Sequence, residues 1–199
     1  MQIFRIRDFL SVLFYKIFFS RAFKKFGKNV RIVFPLRIIG SKYITFEDNT
    51  SLQYNGLLIV VNNLNQNPEL IVKEGTMIGN LSHIVCTRKI TIGKNVLIAD
   101  KVFISDNIHG YSNIYVPIKS QDLVQISDVS IGENSWIGEN VCISGASIGK
   151  NSVIGANSVV TKDIGDYTIA VGSPAKAIKK YCFETNKWRK IDSNLNFID

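Results

Sequence analysis

Residues 131–160 read IGENSWIGENVCISGASIGKNSVIGANSVV, and one phrase recurs through them. An aliphatic residue is followed by a small one, and a small or β-branched residue stands four places after the first. Ile131-Gly132 leads to Ser135, Ile137-Gly138 to Val141, Ile148-Gly149 to Ser152 and Ile154-Gly155 to Ser158. Upstream, Ile78-Gly79 leads to Ser82, Ile92-Gly93 to Val96 and Ile98-Ala99 to Val102, while Phe46, Leu52 and Leu58 keep the same six-residue step. A period of six matches neither the 3.6 of a helix nor the 2.0 of a strand. Recurrent Gly, Asn, Thr and Val also disfavour helix. The pattern predicts an all-β solenoid of short strands and tight corners, each coil covering the apolar face of the one before, about 4.8 Å away. The aliphatic residue points inward, the next rounds the corner, and the small residue points inward again. The repeat slips twice, by a step of eight from Ile84 to Ile92 and of five from Ile143 to Ile148. Each slip predicts a bulge or a tightened corner.

The composition, 46% hydrophobic and 20% charged over 199 residues, is that of one globular domain with its own core and excludes a disordered chain. A net charge of +8 points to an anionic partner: nucleic acid, a membrane surface or a phosphorylated ligand. Cys86, Cys142 and Cys182 show no metal or redox spacing, so reduced thiols and a cytoplasmic setting are expected. Near the N-terminus, Ile6, Phe9, Leu10, Leu13, Ile17 and Phe18 follow helical spacing among Arg5, Arg7, Lys16, Arg21, Lys24 and Lys25. Residues 1–25 are therefore read as an amphipathic helix, too short in its apolar run to span a bilayer and without a signal-peptide cleavage site. Packing against the protein or a neighbouring subunit is the expected role; contact of residues 1–26 with a membrane surface is the alternative.

The repeat breaks at SDNIHGYSN, residues 105–113, beside His109, and resumes some twenty residues later. Together with the hexapeptides, the WIG of Trp136–Gly138, IGANSVVTKD at 154–163 and VGSPAK at 171–176, this chain resembles the left-handed parallel β-helix acyltransferases. Within them it resembles the sugar O-acetyltransferases that modify surface polysaccharides. The likeness runs from about Phe26 to Ile178. It implies a β-helix over 26–178 with an extruded loop at 107–128, followed by a C-terminal tail at 179–199. It further implies a homotrimer, acetyl-CoA as co-substrate and a sugar or glycan acceptor. No nucleic-acid partner is expected, and the reduced thiols and N-terminal helix point to the cytoplasm, with the inner face of the membrane as a further place.

In that family a loop leaves the coil just after a catalytic histidine, and His109 stands at the matching place. A sugar hydroxyl is a weak nucleophile at neutral pH, and a histidine base that takes its proton contributes about 10²–10⁴-fold. Asp106 is expected to hold the other ring nitrogen, unless a backbone carbonyl does. Acceptor-contacting asparagine and acidic positions of the family fall on Gly79 and Thr87, so Asn80 next door is expected to substitute; Tyr111 and Trp136 are the other expected acceptor contacts, with Tyr115 and Lys119 further loop candidates. Ala156, Ser158, Thr161 and Lys162 match the region that grips the pantetheine arm and phosphates, to which Lys176 and Lys179 add charge. The tail is expected to pack across the last open edge of the solenoid. No metal is expected: a metal hydratase on this fold needs three histidines, and the chain has only His83 and His109. N-acetylation of a nucleotide-linked amino sugar and a non-catalytic scaffold are the competing readings.

Overall fold

The computed structural model describes the backbone of residues 2–64 and 67–198, and side chains from Ile6 on. Helix α1 (Gln2–Phe14) continues into a π-helical turn, Tyr15–Phe19, and a 3-10 turn, Ser20–Ala22. Coiling then begins. The first coil holds β1 (Lys25–Phe26), β2 (Arg31–Ile32) and β3 (Arg37–Ile39); the second β4 (Ile44–Phe46), β5 (Ser51–Leu52) and β6 (Leu57–Val60). The third comprises β7 (Glu69–Val72), β8 (Met77–Ile78) and β9 (His83–Cys86), the fourth β10 (Lys89–Ile92), β11 (Leu97–Ile98) and β12 (Phe103–Ser105). An arm follows, with β13 (Asn107–His109) antiparallel to β14 (Leu123–Gln125). The fifth coil is β15 (Val129–Ile131), β16 (Trp136–Ile137) and β17 (Cys142–Ser144). The sixth is a bridge at Ile148, then β18 (Val153–Ile154) and β19 (Val159–Val160), and a last partial coil ends in β20 (Thr168–Val171).

Corresponding strands stack in parallel into three sheets. One holds β1-β4-β7-β10-β15, a second β2-β5-β8-β11-β16-β18-β20, the third β3-β6-β9-β12-β17-β19. We call them sheets A, B and C. Leu52, Ile78, Ile98, Ile137, Ile154 and Ala170 align in one inward column of sheet B and are fully buried. Six-residue spacing thus delivers one aliphatic side chain per strand to a dry core, where burial contributes about 1.5–3 kcal/mol each.

The corners work differently from the expectation that the glycine turns them. Asn95, Asn134, Asn140, Asn151 and Asn157, each two places after the small residue, carry the left-handed backbone, with φ between 52° and 60°; asparagine tolerates that region best after glycine. The glycine meets a packing demand: a Cβ on Gly132 would lie 2.3 Å from the Lys150 backbone nitrogen of the next coil. The asparagines also link coils, Asn140 Nδ2 donating to Asn157 Oδ1 at 2.8 Å.

The eight-residue step is not a bulge. β9 and β10 are each four residues long and turn two side chains inward, Ile84 and Cys86, then Ile90 and Ile92, so the extra residues lengthen strands. The five-residue step is a tightened corner at Gly145, φ +58°. At the far end the start of the tail is a strand that covers the edge of β20, as expected, and a second strand then becomes the new edge. β21 (Lys176–Cys182) runs antiparallel beside β20 across the boundary drawn at Ile178, and β22 (Lys187–Lys190) pairs with β21. All three cysteines are free thiols.

Candidate active site

The arm springs from the corner between sheets C and A, and a single carboxylate ties its root to the coil beneath. Asp106 is fully buried. Its oxygens accept from Thr87 N (2.9 Å), Thr87 Oγ1 (3.0 Å), Arg88 N (2.8 Å), Lys89 N (3.0 Å) and Asn107 Nδ2 (2.8 Å). Burial alone raises its pKa, but the hydrogen bonds from Asn107, Arg88 and Thr87 outweigh it and hold the carboxyl below the usual aspartate range. The returning strand closes the ring: Gln125 Nε2 and Ile126 N donate to Asp106 O at 2.8 and 3.0 Å, and Gln125 Oε1 lies 2.8 Å from Thr87 Oγ1, whose single proton is shared between that oxygen and Asp106. Ile126 then crosses Gly145, where any Cβ would meet its Cγ2 at 2.3 Å.

His109 ends β13, opposite Leu123, and its imidazole is exposed. Gly110 N donates to Asp122 O at 2.9 Å, so the backbone on both sides of the histidine is held by the hairpin. The ring itself makes no hydrogen bond among the described residues. Asp106 does not orient it. Asp106 stands at the bend between β12 and β13, and both of its oxygens are already engaged inside. Asp106 acts on the backbone instead, together with Thr87, Asn107 and Gln125. Sequence reading missed that set, because all its partners but the adjacent Asn107 lie 17 to 38 residues apart.

Beneath this root lies Cys86. Burial, then the charge of Asp106, pushes its thiol up, which leaves it unfit as a nucleophile.

The remaining expected residues fall on several faces. Asn80 sits at the corner between sheets B and C, and its amide is consumed there: Nδ2 donates to Asp100 at 3.0 Å and Oδ1 accepts from Tyr54 N at 3.1 Å. It is a strut between coils and contributes no free amide to an acceptor. Trp136 lies on the outer face of sheet B, half exposed, in line with Leu97 and Met77. Tyr111 is exposed in the arm and, with Tyr115, Pro117 and Gln121, borders a hollow of about 500 Å³; Lys119 is exposed nearby.

Of the residues expected to hold the donor, Lys162 and Lys176 come together. They line a cleft of about 780 Å³ at the C-terminal end, with Tyr167, Phe183 and a third lysine, Lys180. Thr161 is exposed beside Lys162. Lys179 neighbours Lys180 along β21, leaves the other face and lies off the cleft. The carboxylates of Asp163, Asp166 and Asp192, also at this cleft, accept from Ser147 N, Lys150 N and Asn194 N. The three lysines form no ion pair among the described residues, and with three carboxylates at the same cleft the formal charges balance, so the unpaired ammonium groups, and not a net positive field, are what the cleft offers a phosphate. Ala156 is exposed at the corner between sheets B and C, beside Lys101 and Glu139. The Ser158 hydroxyl is turned inward, donating to Gly155 O at 2.6 Å and accepting from Gly172 N at 3.0 Å, so it offers nothing to a ligand. It is the small inward residue of its hexapeptide, and the repeat itself placed it there.

The family model described as hexapeptide repeat of succinyl-transferase matches residues 128–162. The chain is 34% identical, over 83% of its length and 86% of the other's, to WbbJ of Escherichia coli strain K12, provisionally named a lipopolysaccharide biosynthesis O-acetyl transferase. It superposes on the polySia specific acetyltransferase NeuO with a TM-score of 0.50 at 29% identity, covering 77% of this chain and 68% of that one. The fold is also that of AntD, an N-acyltransferase from Bacillus cereus crystallised with dTDP and 3-hydroxybutyryl-CoA, with a TM-score of 0.70 at 19% identity over 83% and 87% of the two chains. Coils, interrupted repeat and a relative matched over most of its length agree: this chain belongs to the hexapeptide-repeat acyltransferase family, as an acetyltransferase.

Proposed function

We propose that the enzyme transfers an acetyl group from acetyl-CoA to a sugar hydroxyl of a surface polysaccharide or its precursor, with His109 as general base. The observation that carries this is an exposed imidazole on a hairpin whose root is locked to the coil by Asp106. A base held this way keeps its distance to a bound hydroxyl without a partner on the ring itself. The hydroxyl proton passes to His109 as the oxygen attacks the thioester carbonyl. The tetrahedral oxyanion collapses, the C–S bond breaks, and the CoA thiolate takes the proton from the imidazolium. No acetyl-enzyme is needed, in keeping with a buried Cys86 whose thiol is pushed up.

The site lies between subunits of a trimer. Within one chain His109 stands at the corner between sheets C and A, while Trp136 projects from sheet B. The outer face of sheet B carries Met77, Leu97 and Trp136, each at least 40% exposed, whereas the column Thr45, Ile71, Thr91 and Ser130 on sheet A is polar but for the half-buried Ile71. A neighbour covering the apolar face brings its own residues to His109. The lysines at the C-terminal cleft take the CoA phosphates, and this donor places the reaction in the cytoplasm.

Following CoA release from acetyl-CoA across a panel of sugar acceptors tests the reading. Wild type should depend on acceptor, and His109→Ala should lose about 10²–10⁴-fold. Release indifferent to His109→Ala removes the base; a preference for amino sugars turns the acceptor from hydroxyl to amine.

A further inference from the structure

Helix α1 is docked upside down for a helix that belongs to a protein core. Its inward face is polar. Arg7 Nη2 donates to Tyr54 OH at 3.0 Å, and the guanidinium lies 5.3 and 5.2 Å from the Phe34 and Tyr54 ring centroids. Tyr54 OH in turn donates to Asp8. Ser11 Oγ donates to Ile32 O at 3.3 Å and accepts from Phe34 N at 3.0 Å, and Tyr15 packs on the core. Residues 7, 8, 11 and 15 share one side of a 3.6-residue helix. On the opposite side stand Ile6, Phe9, Leu10 and Leu13, continued by Ile17 and Phe18; all but Leu13 are more than half exposed.

The charge is as lopsided as the helix. Residues 1–31 carry eight Lys or Arg against the single Asp8, a net +7, while the rest of the chain carries sixteen against fifteen, a net +1. Almost the whole +8 therefore lies around this helix and the first coil. Lys16, Arg21, Lys25, Lys28 and Arg31 are exposed and form no ion pair among the described residues. No helix among the described residues is long and apolar enough to cross a membrane.

We propose that α1 and its continuation through Phe18 lie in the surface of an anionic bilayer, apolar side chains among the acyl chains and the flanking lysines and arginines on the headgroup phosphates. Exposed apolar area alone fits lipid or a second copy of the chain. The charge decides between them: symmetric copies would bring like +7 segments together, whereas an anionic lipid surface neutralises them. The polar docking face explains why the helix is held to the first coil by Arg7, Asp8 and Ser11, leaving the apolar face free. This inference does not rest on the acetyl-transfer reading.

Flotation of the full chain with vesicles of phosphatidylcholine containing phosphatidylglycerol tests it, beside vesicles of phosphatidylcholine alone. Wild type should float with the anionic vesicles, and a Phe9→Glu/Leu13→Glu variant should partition at least about tenfold less. Both substitutions are exposed, away from His109 and the lysine cleft, so acetyl transfer to a soluble acceptor should persist and report an intact fold. Equal flotation of the variant overturns the proposal, as does failure of wild type to float. If wild type stays unbound and the variant lowers the particle mass in light scattering, a second copy covers the helix instead of lipid.

Discussion

Asp106 shows how one side chain prepares a site it never touches. Five donors converge on a fully buried carboxylate, three of them backbone N–H groups of the turn at residues 87–89. Replacing it by asparagine turns an NH₂ toward those donors and strands at least one. Asp106→Asn should therefore cost at least about 2 kcal/mol in denaturant unfolding. Because the hairpin root loosens, kcat should fall while KM for acetyl-CoA holds; a fall in neither would mean that the arm is positioned by the sheet alone. His109 stands at the root of the arm, where the repeat breaks. The polar groups of Asp106, Asn80 and Ser158 are engaged within the protein, because a polar side chain in a stacked fold is claimed by the coils around it, and sequence alone does not display those partners.

At the level of strands and corners, stacking sets the demands. Gly132→Ala drives a Cβ against the Lys150 nitrogen 2.3 Å away, whereas a Cβ on Gly165 finds nothing nearer than 4.0 Å. The first substitution should lower stability by about 1–3 kcal/mol and the second should be nearly silent in the same thermal melt. On the outer face of sheet C, His83 packs edge-on against Phe103 at 5.3 Å with Nε2 buried and unbonded. Desolvation lowers its pKa, so folding favours the neutral ring. The unfolded chain then binds the extra proton below about pH 6.5, and the stability this ring contributes is present above that pH and lost as pH falls through it. Melts between pH 7.5 and 5 should show a shallower acid-side loss in His83→Leu than in wild type.

For the whole molecule, the distribution of residues over three faces makes a testable statement about assembly. If His109 and Trp136 of one active site come from neighbouring subunits, co-expressing His109→Ala with Trp136→Ala chains should restore activity that neither has alone. Random trimers would leave about a quarter of the sites intact. Should mixing restore nothing, both groups belong to one chain or the sites lie elsewhere.

Local pattern was enough for the solenoid, because each hexapeptide states which side chain goes inward and the next coil only repeats the statement. It was enough, too, for the place of His109, where the repeat breaks. Only the tertiary structure decided which polar groups are spent and which are free, since buried donors and acceptors must be satisfied by whatever coil lies against them. The same holds for α1. Its amphipathic pattern said that one face would be covered, and the docking of Arg7, Asp8 and Ser11 on the first coil decided that the covered face is the polar one.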